Sequence, residues 1–251
     1  MRNACSRSIR PGFGLLLGTM LTMGMPRAAR AQSLGDLAAW DALVVTPIGA
    51  LPPRARLSDD AAPRELSIRY GRWRYDIDDA IHNDVGVTVA RDVGFAHGSV
   101  ALTGAYLSLS CGTCDAWVAG GLELQSHLLH EHIGGDSAGG VNATLGVRLN
   151  AGSARFLGDG HATALSLAGA GVLGVSLSLP RDTRLSVAVM PGVGVGRFAS
   201  VDETASGTRR TYAVAAALAL HHGLVLDVGF QRIVIDGGPM QLGAGLAWRA
   251  R

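Results

Sequence analysis

The densest group of potential metal ligands in this sequence is the run His127-Leu-Leu-His130-Glu131-His132. On a β-strand alternate side chains share a face, so His130 and His132 would lie together and could bind Zn²⁺ with a third ligand. The run also enters a glycine-rich loop, and exposed histidines are common in loops. We therefore predict no metal site and keep His130 and His132 as the candidates for one.

Asp76, Asp78, Asp79 and His82 form a second group. Carboxylates and an imidazole in one loop could act as general acid and base toward water. The composition resembles that of the omptin class of outer-membrane proteases, which would imply a hydrolytic site at a barrel rim. No Asp-His pair in a second loop matches that class, and no Gly-x-Ser-x-Gly motif occurs. We predict an acidic external loop over residues 76–83 and no catalytic residue, with a rim hydrolase as the alternative.

Cys111 and Cys114 bracket two residues, Gly112 and Thr113. In an exported chain such a pair is expected to close a small disulfide across a turn, or to remain as two turn thiols. A thioredoxin-like redox site would need a helix that begins at the first cysteine, whereas strand-like alternation flanks this pair. The sequence predicts a structural role for the pair and no cofactor.

The first 31 residues have the layout of a secretory signal peptide. A basic start precedes an apolar run over residues 12–25, and Ala29-Arg30-Ala31 is a small-x-small cleavage site before Gln32. An apolar run of this length is short for a membrane-spanning helix. After cleavage the chain has 17 basic residues, all of them arginine, against 20 acidic residues, a net charge of −3. Nothing in that balance indicates a nucleic-acid partner.

Residues 32–65 are predicted to form an irregular periplasmic leader, because prolines interrupt a stretch that has no sustained period. Within it, the segment Asp41-Ala-Leu-Val-Val-Thr-Pro47 resembles the energy-coupling box of TonB-dependent transporters. Those transporters need a barrel of about 22 strands, and this chain is too short for one. We interpret the segment as a short β-prone stretch in a linker.

From residue 66 onward, apolar residues alternate with polar residues or glycine, which is the period of a β-strand. Over residues 141–149 every odd position is apolar, and every even position is polar or glycine. No segment shows a sustained helical period. The pattern predicts an all-β chain of ten strands, with eight as the alternative, over residues 66–75, 84–93, 98–110, 115–128, 138–150, 161–179, 184–198, 210–221, 223–234 and 239–249.

This alternation also fits a soluble secreted β-sandwich or a lipocalin-like binding protein. A transmembrane barrel is favoured because the strand count is even and the strands are long enough for a tilted bilayer crossing of about 9–11 residues. The polar residues between the apolar ones would then line a lumen, with Glu123, Gln125, Arg148, Asp227, Gln231 and Arg249 as the candidates. The aromatic girdles of such a barrel would draw on Tyr70, Trp73, Tyr75, Phe95, Tyr106, Trp117, Phe198, Tyr212, Phe230 and Trp248.

Residues 66–251 resemble the small bacterial outer-membrane β-barrel proteins, the broad OmpA-like class of porin-type domains. The last strand, Met240-Gln-Leu-Gly-Ala-Gly-Leu-Ala-Trp248, is similar to the assembly signal of such barrels, although the chain ends Arg249-Ala-Arg251 instead of on an aromatic residue. The resemblance implies an antiparallel up-and-down barrel in the outer membrane, with membrane lipid and the barrel-assembly machinery as partners. It implies a structural role or a narrow passive pore.

Overall fold

The structure is a computed structural model that describes residues 64–77, 80–95, 98–108, 116–133, 140–158, 161–201, 204–234 and 240–250. The predicted signal peptide, most of the predicted leader and the segment Asp41–Pro47 lie outside the described residues. Cys111 and Cys114 also lie outside them.

The described chain is all-β, as the alternation predicts, and it has the predicted ten strands. No helix among these residues is long and apolar enough to cross a membrane. The strands are β1 (Arg64–Ile77), β2 (Ala80–Phe95), β3 (Gly98–Ser108), β4 (Trp117–His132), β5 (Val141–Phe156), β6 (Thr163–Leu179), β7 (Thr183–Ala199), β8 (Thr204–Ala219), β9 (Leu224–Ile233) and β10 (Met240–Ala250).

The ten strands close into an antiparallel barrel. Each strand pairs with its neighbours along the chain, and β1 pairs with β10, where Leu66 lies opposite Trp248 and Arg74 opposite Met240. Closure gives every strand a partner on both sides, which is the condition for placing β-structure in lipid. The register of β4 against β5 shifts between His127 and Leu129, so a β-bulge interrupts the alternation there.

The strands divide their side chains between an apolar exterior and a packed interior. In β5 the odd residues Val147 and Leu149 are exposed outside, whereas the even residues Thr144 and Arg148 are buried inside. A surface of exposed leucine and valine this extensive fits hydrocarbon rather than water. The exposed set includes Leu66, Ile68, Val89, Leu102, Leu122, Leu165, Leu167, Val195, Val228 and Leu242.

The interior changes character along the barrel axis. We call the end that carries Arg64 and Ala250 the terminal end and the opposite end, where β1 is followed by β2, the far end. The buried ion pairs described below lie inside the barrel from its middle toward the terminal end, whereas an apolar cluster lies toward the far end. The apolar cluster consists of Trp73, Ala105, Leu107, Trp117, Ala119, Ala154, Ala164 and Ile233.

The strands extend further than the sequence indicates, so the predicted loop over residues 76–83 is wrong. Asp76 belongs to β1 and His82 to β2, and only residues 78 and 79 lie between these strands. Likewise β5 continues to Phe156 and β8 already begins at Thr204. Backbone pairing persists past the apolar band, where the outer face no longer needs apolar residues and the alternation fades.

Three of the aromatic residues proposed for interfacial girdles lie inside the barrel instead. Trp73 and Trp117 are buried in the apolar cluster, and Phe198 packs against it. The centroid of the Trp117 ring lies 5.9 Å from that of the Phe198 ring and 5.4 Å from that of the Phe156 ring. Their inward positions follow from strand parity, which aromatic content alone does not reveal.

Candidate functional site

The candidate site is the charged part of the interior, where a short ion pair joins β4 and β5. Arg148 Nη2 donates to Glu123 Oε2 at 2.6 Å, and both side chains are almost fully buried. Gln125 is the residue directly opposite Arg148, so Glu123 is its diagonal neighbour on the inner face. A buried, charge-assisted hydrogen bond of this length holds both groups in a fixed geometry.

Arg148 also spans part of the interior. Its Nη1 lies 3.9 Å from Met190 Sδ on β7, although β6 separates β5 from β7 in the sheet. The inner faces of β6 to β8 consist largely of alanine, glycine and serine, with Val172, Ala188, Ala213 and Ala215 packed around Met190. Small residues on this wall leave room for long polar side chains from the opposite wall.

A second ion pair joins strands that are not neighbours. Arg69 Nε lies 3.7 Å from Asp227 Oδ1, and β10 runs between β1 and β9. The residue between them in the register is Gly245. A Cβ at Gly245 would lie 2.6 Å from Arg69 Cγ and 2.7 Å from Asp227 Oδ1. Glycine is therefore required on β10 for the two charged side chains to meet across it.

The third ion pair lies closest to the terminal end. Arg249 Nε donates to Glu65 Oε2 at 2.8 Å, and the two residues are directly opposite each other on β10 and β1. The Glu65 side chain is buried, whereas that of Arg249 is 20% exposed. The three pairs together neutralise three arginines with three carboxylates inside the wall.

All six candidate lumen residues occupy inward-facing positions. The structure brings together Glu123 and Arg148, whereas Asp227 and Arg249 pair with residues that the sequence did not single out, Arg69 and Glu65. Gln125 and Gln231 are buried on β4 and β9.

Glu65, Arg69 and Gln241 are also buried inside the barrel, and the alternation of the sequence did not single them out. The first two stand in a strand whose alternation is obscured by several arginines. A usable signal was present, because Glu65, Ser67 and Arg69 share one parity and the apolar Leu66 and Ile68 share the other.

The histidines His130 and His132 of β4 face polar side chains of β5. The bulge changes the parity of β4, so that His127 opposes Gly146, His130 opposes Thr144 and His132 opposes Asn142. His130 Nδ1 lies 3.0 Å from Thr144 Oγ1, and His132 Nδ1 lies 2.9 Å from Asn142 Oδ1. No group of three or more histidine, cysteine or carboxylate side chains within the described ranges could hold a metal ion.

The side chains of the residues considered for a rim hydrolase lie outside the part of the chain that the structure describes. Asp76 is paired with Ile81, and His82 with Tyr75, in the ladder between β1 and β2. Asp78 and Asp79 lie outside the described residues.

Comparison with known proteins gives fold-level similarity. The structure is similar to Neisserial surface protein A (12% identity, 75% of this chain and 97% of that chain, TM-score 0.37). It is also similar to the outer membrane enzyme PagL (15% identity, 74% and 99%, TM-score 0.35) and to the KdgM porin (12%, 74% and 99%, TM-score 0.28). No protein family and no curated protein sequence matches the chain.

The assignment follows from the molecule's own geometry. Ten antiparallel strands close on themselves, the outer face is apolar over the middle of the strands, and charged side chains are held inside. Only a closed barrel lets β-structure satisfy its backbone in hydrocarbon, and transmembrane barrels of this kind belong to outer membranes. By its architecture, this chain is a small β-barrel protein of the outer membrane.

Proposed function

We propose that the chain has a structural role in the outer membrane and that its interior does not conduct ions. The observation that carries this proposal is the apolar cluster at the far end. Trp73, Leu107, Trp117 and Ile233 are exposed by only 0%, 1%, 4% and 1%. Side chains that line a water-filled pore remain accessible to water, whereas these four side chains are almost inaccessible to it.

The charged half of the interior supports the same proposal. Arg148 and Glu123 neutralise each other, as do Arg69 and Asp227, and all four side chains are nearly or fully buried. An arginine cannot give up its proton in a protein, so an arginine paired with a carboxylate is poorly suited to general acid–base catalysis. These pairs are better suited to fixing the barrel wall than to passing solutes or catalysing hydrolysis.

Conductance in a planar lipid bilayer tests the proposal directly. The full chain, purified in detergent and reconstituted, is expected to show no steady single-channel steps. Discrete steps from the unmodified protein would refute the structural role and favour a narrow passive pore.

A matched pair of double variants gives the experiment its control. Trp73→Ala with Trp117→Ala removes aromatic volume from the inside and is expected to open a conducting path. Tyr106→Ala with Trp248→Ala removes aromatic residues exposed on the outside and is expected to leave the barrel closed. Heat-modifiable migration on a gel checks that each variant is folded. If both double variants are folded and neither conducts, the apolar cluster is not what closes the interior.

A further inference from the structure

Six arginines stand on the outer surface of the barrel toward the far end. We call them the arginine belt; they are Arg72, Arg74, Arg155, Arg197, Arg210 and Arg232. All six are exposed and lie on the outward-facing parity of β1, β5, β7, β8 and β9. The three ion pairs described above are formed by other arginines, namely Arg69, Arg148 and Arg249.

Four members of the belt are close together on three strands, β1, β9 and β8, with β10 between β1 and β9. Arg74 on β1 opposes Met240 on β10, Met240 opposes Arg232 on β9, and Arg232 opposes Tyr212 on β8. Neighbouring strands are about 4.8 Å apart, so the backbones at Arg74 and Arg232 are about 10 Å apart. Arg72 and Arg210 lie two residues from this row, on the same outer face. The row therefore presents guanidinium groups with an aromatic side chain beside them.

The belt lies along the edge of the outer apolar band that is nearer the far end. On β9 the outward residues Leu226 and Val228 lead up to Arg232, and on β7 the outward residues Val193 and Val195 lead up to Arg197. The guanidinium groups are therefore at the level where hydrocarbon gives way to lipid headgroups, and long arginine side chains readily reach that layer.

The outward side chains that the structure describes near the far end carry charge of one sign. Among the described outward side chains near the far end there is no carboxylate, whereas near the terminal end Glu131 accompanies Arg64 and Arg91. Arginine binds phosphate through paired, charge-assisted hydrogen bonds that lysine cannot match, and every basic residue of the chain is arginine. A belt of this kind complements an anionic phosphate layer.

The position of the termini indicates which leaflet the belt meets. An even number of strands leaves the start of β1 and the end of β10 at one end of the barrel. A barrel that inserts from the periplasm moves the β-hairpins of one end across the membrane, and the end that carries the start of β1 and the end of β10 stays on the periplasmic side. The far end then faces the outer leaflet, where the amphiphile is a phosphorylated glycolipid.

We propose that the arginine belt binds the phosphate groups of the outer-leaflet glycolipid. Phosphate monoesters on a sugar carry about −1.5 to −2 charges and three acceptor oxygens, more than the single charge of a phospholipid diester. Arg74, Arg210 and Arg232 are the members on which the binding depends most. This proposal is independent of whether the interior conducts.

Native mass spectrometry of the full chain in detergent tests the proposal. The probes are bisphosphorylated lipid A, the same lipid without its phosphates, and phosphatidylglycerol. We expect retention of the bisphosphorylated lipid A and little retention of the other two. The variant with Arg74→Gln, Arg210→Gln and Arg232→Gln is expected to retain it about tenfold less, since each lost guanidinium removes a charge-assisted contact.

Two further variants give the test its controls. Replacing the same three arginines by lysine keeps the charge but loses the paired hydrogen bonds, so a smaller loss is expected. Arg64→Gln with Arg91→Gln removes exposed arginines nearer the terminal end and is expected to leave lipid A retention unchanged.

Three outcomes would overturn the proposal. Equal retention of lipid A with and without phosphates would mean that acyl chains alone hold it. Preference for phosphatidylglycerol would assign the belt to phospholipid. Unchanged retention by the triple glutamine variant, with a lowered melting temperature, would show that the belt pairs instead with the acidic residues of the adjoining hairpins, such as Asp202 and Glu203.

Discussion

The two halves of the barrel interior are built from the same strands by different means. From the middle of the barrel toward the terminal end, Arg148 pairs with Glu123 and Arg69 pairs with Asp227. In the half nearer the far end, Trp73 and its apolar neighbours fill the space. Charged groups need particular partners at particular distances, whereas apolar groups need volume. The stability of the charged half should therefore depend on intact ion pairs, and the stability of the apolar half on side-chain volume.

Asp227→Leu is expected to cause one of the largest losses, because it leaves Arg69 buried beside an apolar residue. Removing one partner of a buried ion pair costs about 3–5 kcal/mol of unfolding free energy. Urea unfolding in lipid vesicles, followed by heat-modifiable migration on a gel, measures the change.

The double variant Arg69→Leu with Asp227→Leu sharpens the comparison. Because both charges are removed, we expect much of the lost stability to return. A double variant as unstable as the sum of the two single variants would show that the pair does not act as a unit.

Trp73→Ala tests the apolar half by the same unfolding measurement. Truncation of a fully buried tryptophan is expected to cost about 3–5 kcal/mol, in proportion to the cavity that remains. Trp73→Phe keeps most of the volume and should cost much less. If the two substitutions cost the same, a contact specific to the indole would matter more than size.

Gly245→Ala tests the crossing of β10 by the Arg69–Asp227 pair. The added methyl group would occupy the space between the two charged side chains, and overpacking of this kind costs about 1–3 kcal/mol. Gly104→Ala is the matched control, because a Cβ at that outward position meets nothing within 4 Å. Equal effects of the two substitutions would mean that Gly245 is not needed for the pair.

Much of the fold could be predicted from the sequence, because alternation of period two reports which face each residue occupies. The odd apolar residues of β5 lie outside, and Arg148 and Thr144 lie inside. The same pattern failed at strand ends, where pairing continues beyond the apolar band and no face has to be apolar. Arg72 and Arg74 interrupt the alternation of β1 for this reason, since both are outward residues at the edge of that band, although the strand itself was predicted over residues 66–75.

The pairing inside the barrel was harder to predict than the faces. Glu123 and Arg148 are on adjacent strands, and register alone could match them. Arg69 and Asp227 are two strands apart, and their contact depends on closure between β1 and β10 and on a glycine in the intervening strand. Single-sequence periodicity contains no information on closure. The bulge in β4 also changes which histidines face inward, and no residue type in the sequence indicates a bulge at that position.

The smallest expected effect comes from Glu65→Gln. Compared with Glu123→Gln, this substitution tests whether partial exposure of the paired arginine weakens an ion pair. Its partner Arg249 is 20% exposed, so water can solvate the guanidinium once the carboxylate is gone. A glutamine oxygen can still accept the hydrogen bond, so the cost should be about 1 kcal/mol or less. Glu123→Gln makes the same chemical change opposite Arg148, whose side chain is only 5% exposed, and should cost about 1.5–3 kcal/mol. If the two substitutions cost the same, exposure of the arginine does not control the strength of these pairs, and the charged half behaves as one connected unit.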